Sequence, residues 1–175
     1  MFEIRIHSRG GQGGVTAARL LAMAAFLDKK HATAAPFYGA ERRGAPVTSF
    51  VRIDEEPIKI YSQIRSPNLI VVLDASIMDT VDVLLGILEN GTVLINSPHP
   101  IDLPGVNVLT IDLTGIALSV DLIVSGSPIL NTPVLGALAK MGVISRESAE
   151  AAIRDMFADE RNVKAAEAAY KELIL

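Results

Sequence analysis

Four glycines lie within five positions near the start of the chain, in the stretch SRGGQGGVTAARLLA. A glycine-rich turn between a strand and a helix can bind a phosphate, because the anion approaches bare backbone N–H groups and the positive end of the helix dipole. An arginine beside the turn can add a bidentate, charge-assisted contact. The alternative is purely structural, since glycines also permit a tight turn and close packing of helix on strand. The residues predicted to bind a phosphate are Arg9, Gly10, Gly11, Gln12, Gly13 and Gly14.

The glycine pattern departs from two well-known nucleotide-binding motifs. Counted from Gly11, the third glycine of GxGxxG is replaced by Thr16, and the later acidic residue that would bind a ribose is absent from HATAAPF. The chain also has no GK[ST] sequence, which excludes a P-loop. Gln12 is the one long side chain among the glycines, and it is better suited to reaching a ligand or a neighbouring subunit than to packing.

A second group of charged residues occurs in the segment PFYGAERRGAPVTSFVRI. Arg42 and Arg43 are adjacent there and can pair with carboxylates or phosphates, unless the loop is solvated and Glu41 is paired locally. Asp74 and Asn131 are two further candidates for ligand contact, because both are predicted beside the crevice at the carboxyl ends of the strands. Helix capping explains Asn131 equally well. None of these residues is convincing as a general base or nucleophile, so no catalytic residue is predicted.

The hydrophobic pattern predicts the elements that must position these residues. FEIRIH alternates with period two, as a strand does, and VTAARLLAMAAFL is apolar almost all round, as in a buried helix. VTSFVRID and PIKIY predict an antiparallel hairpin turning at residues 54–56. LIVVLD, TVLIN and NVLTID are predicted as further strands, and IMDTVDVLLGIL, NTPVLGALAKMG, SRESAEAAIRDMF and RNVKAAEAAYKEL as helices. Together they predict an α/β three-layer sandwich: a mostly parallel sheet with an antiparallel hairpin, helices on both faces, and one domain over residues 1–175.

Composition excludes several classes of protein. The 175 residues carry a net charge of −4 with no basic stripe, so a nucleic-acid partner is not expected. There is no cysteine to ligate an iron–sulfur cluster, and the three histidines lack metal-ligand spacing. No apolar stretch reaches the length of about 18 residues that would suggest a membrane span, and there is no secretory leader pattern, so a cytoplasmic location is expected.

Taken in order, three motifs resemble those of a known family. SRGGQGGVTAARLLAMAA, YGAERRGAPV and PILNTPVLGALAKMGVIS are similar to the gamma subunit of 2-oxoacid:ferredoxin oxidoreductases, of the pyruvate or 2-oxoisovalerate type. LIVVLD and the Asn96–Ser97 strand end extend the resemblance over nearly the whole chain. This family carries out the coenzyme A-dependent oxidative decarboxylation of a 2-oxo acid to acyl-CoA, CO2 and reduced ferredoxin.

The resemblance implies a supporting role without redox chemistry of its own. Thiamine diphosphate with Mg²⁺ would be held by alpha and beta subunits, and the iron–sulfur clusters by a ferredoxin-like delta subunit or another cluster-bearing partner. Pyruvate is the expected 2-oxo acid. The glycine turn is then predicted to contact coenzyme A through its phosphates. The alternative is that the turn, Arg42 and Arg43 pack against the alpha subunit.

Two other functions stay open from the sequence. One is a subunit of indolepyruvate or arylglyoxylate oxidoreductase, and the other is a stand-alone module that binds coenzyme A or a nucleotide. Apolar surface left by absent partners would also allow the isolated chain to associate with itself.

Overall fold

The computed structural model describes residues 1–37 and 44–175. Its strands are β1 (Phe2–Arg9), β2 (His31–Phe37), β3 (Pro46–Asp54), β4 (Leu69–Val72), β5 (Thr92–Asn96), β6 (Asn107–Ile111), β7 (Ile123–Val124) and β8 (Ser127–Pro128). Its α-helices are α1 (Gly14–Leu27), α2 (Leu113–Ser119), α3 (Pro133–Lys140), α4 (Arg146–Met156) and α5 (Arg161–Glu172), and a 3-10 helix spans Ala75–Asp79.

Six strands form one mixed sheet in the order β2-β3-β1-β4-β5-β6. Strands β1, β4, β5 and β6 run parallel, while β3 is antiparallel to both β1 and β2. A separate two-stranded antiparallel sheet is made by β7 and β8. The predicted α/β fold, with a mostly parallel sheet and an antiparallel element, is confirmed.

The antiparallel hairpin predicted to turn at residues 54–56 is wrong. Residues 57–61 form no strand, and the second antiparallel partner of β3 is β2, which comes before it in the chain. Both edges of β3 are already paired, one with β1 and the other with β2. No backbone donors or acceptors of β3 are therefore left for residues 57–61 to pair with.

The two faces of the sheet are covered differently. On one face, Ile4, Ile6 and Leu94 pack in the large core to which all five α-helices contribute. On the other face, Ile70 and Val72 pack in a smaller core with the 3-10 helix and residues 81–87. Alternate residues of a strand point to opposite faces, which is why neighbouring positions of β4 belong to different cores.

The smaller core contains a buried Arg5–His7 pair on β1, and this pair explains a second difference from prediction. Arg5 Nη2 donates hydrogen bonds to the carbonyl oxygens of Val83 (2.7 Å) and Leu85 (2.8 Å). In an α-helix these carbonyls would accept from N–H groups four residues later. The helix predicted over residues 77–88 is accordingly a 3-10 helix followed by turns.

His7 accepts the third hydrogen bond that the Arg5 side chain donates. Arg5 Nε donates to His7 Nε2 at 3.1 Å, and the imidazole is only 5% exposed. Burial lowers the pKa of His7 to about 4, and the neighbouring Arg5 charge acts in the same direction. His7 is therefore neutral at physiological pH and accepts a hydrogen bond from a buried cation.

The helices predicted in the last third of the chain are confirmed as α3, α4 and α5. Ser145 caps α4 as its sequence position predicted, since its hydroxyl accepts from the backbone N–H of Ser148 at 3.1 Å. The cap of α3 is different. Its N-cap residue is Thr132, without a side-chain capping bond, so Asn131 does not cap this helix.

Candidate functional site

The glycine loop, residues 10–14, connects the carboxyl end of β1 to the start of α1. Two backbone hydrogen bonds attach it to the segment before β3: Gly10 N–H donates to the Ala45 carbonyl at 2.9 Å, and Gly44 N–H to the Gly10 carbonyl at 3.1 Å. Gln12 N–H closes a tight turn on the Arg9 carbonyl at 3.1 Å. The loop is therefore held in a defined shape at the edge where ligands bind in sheets of this kind.

Close packing explains two of the glycines. Gly13 has φ of +89°, and a Cβ there would lie 3.2 Å from the Asn131 Cβ. A Cβ on Gly14 would lie 2.2 Å from the Ser8 Oγ, which is too close for two atoms that are not bonded. The structural alternative considered from the sequence is thus correct for this half of the loop. It does not exclude a ligand, because Gly11 also has a positive φ and no atom lies within 4 Å of its Cβ position.

The start of α1 offers unpaired backbone donors. Gly14, Val15 and Thr16 occupy its first turn, where N–H groups have no acceptor within the helix. Gly13 is the N-cap residue, and no side chain of residues 1–37 or 44–175 caps the helix. The first turn also carries no acidic residue. These donors and the positive end of the helix dipole favour an anion at this position.

Arg9 extends from the end of β1 toward the 3-10 helix. Its Nε lies 3.2 Å from Asp74 Oδ2, its Nη2 donates to Ser76 Oγ at 2.7 Å, and its Nη1 donates to the Gly44 carbonyl at 3.1 Å. The guanidinium group thus joins three parts of the chain that meet at the carboxyl edge of the sheet. Direct contact of Arg9 with a phosphate stays a prediction, and in this structure all three of its nitrogens have partners in the protein.

Gln12 and Asp74 complete this network. The Gln12 amide accepts from the Arg9 backbone N–H at 2.7 Å through Oε1 and donates to Asp74 Oδ2 at 2.9 Å through Nε2. Burial would raise the pKa of Asp74, but hydrogen bonds from Ser76 and Gln12 and the charge of Arg9 hold the pKa below its ordinary value. Asp74 therefore stays ionised near neutral pH and orients the loop, and it is poorly suited to act as an acid or base.

Asn131 lies against the opposite side of the glycine loop. It is 6% exposed, its Cβ lies 3.2 Å from the position that a Cβ on Gly13 would take, and it lines a cavity beside the loop. Its Oδ1 is buried and has no hydrogen-bond partner among the described residues. A buried acceptor without a partner costs about 1–3 kcal/mol, and a hydrogen bond from a bound water or ligand would remove that cost.

A cavity of about 810 Å³ opens beside the loop. Its wall includes the glycine loop, the first residues of α1, Asn131, and the β7–β8 hairpin with Ser125 and Ser127. Val47, Val124 and Ile129 give it an apolar side. None of the residues that line it in the described part of the chain carries a carboxylate. The cavity is large enough for a small-molecule ligand that has both an anionic and an apolar part.

The structure brings most of the predicted residues together. Arg9, residues 10–14 and Asp74 form one network, and Asn131 lies next to it. Glu41, Arg42 and Arg43 lie outside the described residues.

Sequence reasoning missed the contributions of Ser76 and of the β7–β8 hairpin. Asp74-Ala-Ser76 is a capping pattern, in which Asp74 accepts from the Ser76 backbone N–H at 3.0 Å. Ser125-Gly126 is a turn signal between the two short strands, and both residues have positive φ. Both signals were present in the sequence.

The described residues contain no group of three or more histidine, aspartate or glutamate side chains that could hold a metal ion. No helix within residues 1–37 and 44–175 has the length and apolarity needed to span a membrane.

Comparison with known proteins agrees with this architecture. The family described as pyruvate ferredoxin/flavodoxin oxidoreductase matches residues 3–172. The "pyruvate/ketoisovalerate oxidoreductases common subunit gamma" of Thermococcus litoralis is 47% identical, over 100% of this chain and 98% of that protein. The "pyruvate synthase subunit PorC" of Methanocaldococcus jannaschii is 49% identical, over 99% of this chain and 98% of that protein.

A solved structure gives the same result. The pyruvate oxidoreductase subunit PORC of Thermotoga maritima superposes with a TM-score of 0.85 at 33% identity, covering 99% of this chain and 97% of the other. The match to the family, the two full-length relatives and the shared fold lead to one conclusion: the chain belongs to the pyruvate ferredoxin/flavodoxin oxidoreductase family and is a subunit of the gamma type.

Proposed function

We propose that this gamma-type chain supports the oxidation of a 2-oxo acid by holding the phosphate end of coenzyme A at its glycine loop. Pyruvate is the proposed acid, and the products are acyl-CoA, CO2 and reduced ferredoxin. The names of the relatives support this choice, since they refer to pyruvate synthase and to pyruvate or ketoisovalerate oxidoreductases.

The observation that carries the proposal is the uncapped start of α1 beside the cavity. The N–H groups of Gly14, Val15 and Thr16 have no acceptor within the helix, and these residues line the cavity wall. Coenzyme A carries a pyrophosphate and a 3′-phosphate, which need such donors. No carboxylate from the described residues lines the wall to repel them. The buried Asn131 acceptor and the apolar side of the cavity also fit a ligand that is not anionic throughout.

The redox chemistry is assigned to partner subunits. The chain has no cysteine with which to ligate an iron–sulfur cluster. The network at the loop holds Asp74 as an ionised, fully bonded carboxylate, so this chain offers no general base there.

Thiamine diphosphate with Mg²⁺ is proposed to reside on alpha and beta subunits and the clusters on a ferredoxin-like delta subunit, from which ferredoxin takes electrons. In this division the gamma chain binds and orients coenzyme A. The cytoplasm is the proposed location of the complex.

The interface alternative has one observation in its favour. Packing against Ser8 and Asn131 accounts for Gly13 and Gly14 without any ligand. A loop shaped by packing could equally rest against an alpha subunit, with Arg42 and Arg43 beside it.

A pair of variants at Gly11 separates the two. Gly11→Asp and Gly11→Asn have nearly the same size, and asparagine and aspartate are the residues that best tolerate its positive φ. Only the aspartate adds a negative charge. At about 8 Å from a phosphate and an effective dielectric constant of about 20–40, that charge costs roughly 1–2 kcal/mol, or about tenfold in binding.

The assay is the KM for coenzyme A of the assembled complex at low and high salt. We expect Gly11→Asp to raise the KM about tenfold relative to Gly11→Asn, and salt to reduce the difference. Equal KM values for the two variants in an intact complex would refute the phosphate site. Loss of assembly in both variants would favour the interface alternative. Activity with pyruvate, 2-oxoisovalerate, 2-oxoglutarate, indolepyruvate and phenylglyoxylate then identifies the acid.

A further inference from the structure

The buried Asn131 packs against Gly13, but its amide oxygen makes no hydrogen bond with the described residues. It does not cap α3, whose N-cap is Thr132, and its Oδ1 has no hydrogen-bond partner among the described residues. It is nevertheless nine-tenths buried, at the wall of the cavity and against Gly13. Buried polar atoms of this kind are normally paired. Among the described residues, the Oδ1 of Asn131 and the hydroxyl of Ser49 are the two buried side-chain atoms without a partner, and of these two residues only Asn131 lines the cavity.

A neighbouring asparagine shows the usual arrangement. Asn162 is 5% exposed, and its amide is paired at both ends. Its Nδ2 donates to the Asp159 carbonyl at 3.0 Å, and its Oδ1 accepts from the Thr132 hydroxyl at 3.3 Å. Of two asparagines with similar burial, Asn162 thus has a partner for its oxygen and Asn131 has none among the described residues.

We propose that Asn131 determines which ligand enters the cavity, by accepting a hydrogen bond from an N–H or O–H group of the molecule whose phosphate the glycine loop binds. The inference rests on the proposed coenzyme A site and adds the residue that recognises the part of the ligand next to the phosphate. The Oδ1 atom is buried as it stands, and the Nδ2 atom is the one that lies near Gly13. Rotation about the last side-chain torsion, which has a broad energy profile in asparagine, exchanges the two atoms, so that the oxygen faces the cavity and Nδ2 takes the buried position.

The position of Asn131 limits what it can recognise. It packs against Gly13, the N-cap of α1. The ligand group that Asn131 binds therefore lies next to the phosphate held by the first turn of α1. In coenzyme A, both the adenosine half and the pantetheine arm adjoin the pyrophosphate, and each carries N–H and O–H donors. Both halves of coenzyme A therefore present an uncharged N–H or O–H donor beside the pyrophosphate. Inorganic pyrophosphate satisfies the loop and offers no such neutral donor.

The experiment uses the assembled complex carrying Asn131→Leu, which has a similar shape and no polar atom. We expect the KM for coenzyme A to rise about tenfold, because a donor of the bound ligand is left unpaired. The inhibition constant of pyrophosphate, competing with coenzyme A, should not change. The melting temperature of the variant should equal or exceed that of the wild type, because an unpaired buried acceptor has been removed.

Controls identify each kind of failure. Asn162→Leu should lower the melting temperature and leave the KM unchanged, because it removes a paired amide from the fold. A lower melting temperature in Asn131→Leu with an unchanged KM would make Asn131 a packing residue and overturn the proposal. Should Asn131→Leu not assemble, Asn131→Ala is assayed in its place, with the same rise in KM expected and an unchanged KM again overturning the proposal.

Two further measurements separate this inference from the proposed function. Pyrophosphate that does not compete with coenzyme A in the wild type would refute the phosphate site, whereas an unchanged KM in Asn131→Leu refutes only the asparagine contact. Inhibition by adenosine 3′,5′-bisphosphate then locates the donor. A weaker inhibition in Asn131→Leu places it on the adenosine half, and an unchanged inhibition with a raised KM places it on the pantetheine arm.

Discussion

Acidification between pH 7 and pH 5 should destabilise this protein through a single buried histidine. The pKa of His7 is lowered from 6.5 to about 4 by burial and by Arg5 beside it. In this range the imidazole of the unfolded chain binds a proton and that of the folded chain does not. The stability that depends on neutral His7 is therefore fully present above about pH 6.5 and is lost as the pH falls toward 4. Replacing His7 by Gln should abolish the effect, because the Gln oxygen still accepts from Arg5 and does not titrate.

The size of the effect follows from the two pKa values. Each pKa unit is worth about 1.4 kcal/mol, which gives about 3 kcal/mol in total and about 2 kcal/mol between pH 7 and pH 5. With an m-value of about 2 kcal/mol/M, the urea midpoint of the wild-type chain should fall by about 1 M between these pH values. Asp28, Asp54, Asp74 and Asp159 have pKa values below the ordinary 3.8, so the stability that they contribute is lost only at lower pH.

The assay is urea unfolding of the purified chain at pH 7 and pH 5, followed by circular dichroism. His7→Gln should keep nearly the same midpoint at both pH values, whatever its absolute stability. His99→Gln, a change at an exposed histidine, should show the full wild-type decrease. A wild-type midpoint that does not move, or a His7→Gln midpoint that falls as far as that of the wild type, would refute the assignment of the effect to the buried pair.

Two other changes test the loop itself. Arg9→Ala should raise the KM for coenzyme A of the assembled complex by about one to two decades. The change removes the cation that joins the loop to Asp74 and that is predicted to contact a phosphate. An unchanged KM would show that Arg9 does not belong to the site. Gly14→Ala should lower the free energy of unfolding by about 1–3 kcal/mol, because its Cβ would lie 2.2 Å from Ser8 Oγ. Adding Ser8→Gly should recover most of that loss, and denaturation that shows no recovery would contradict the packing explanation.

Much of the fold could be predicted because its signals are local. The alternation in β1, the apolar runs of β4 and β5, and the Ser145 cap of α4 each depend on residues close together in the sequence. The hairpin was predicted in the wrong place because strand pairing is a competition between distant segments. Residues 57–61 have a reasonable strand pattern, yet β1 and β2 already occupy both edges of β3.

The sequence by itself determined that a glycine-rich turn joins the first strand to a buried helix, and that the chain resembles one family over its length. Only the tertiary structure decided what the side chains around that turn do. It pairs Arg9 and Gln12 with Asp74, more than sixty positions away, and leaves the oxygen of Asn131 unpaired beside Gly13. The physical reason is that a backbone turn is set by the conformations open to neighbouring residues, whereas hydrogen-bond partners are set by which distant strand ends meet at one edge of the sheet.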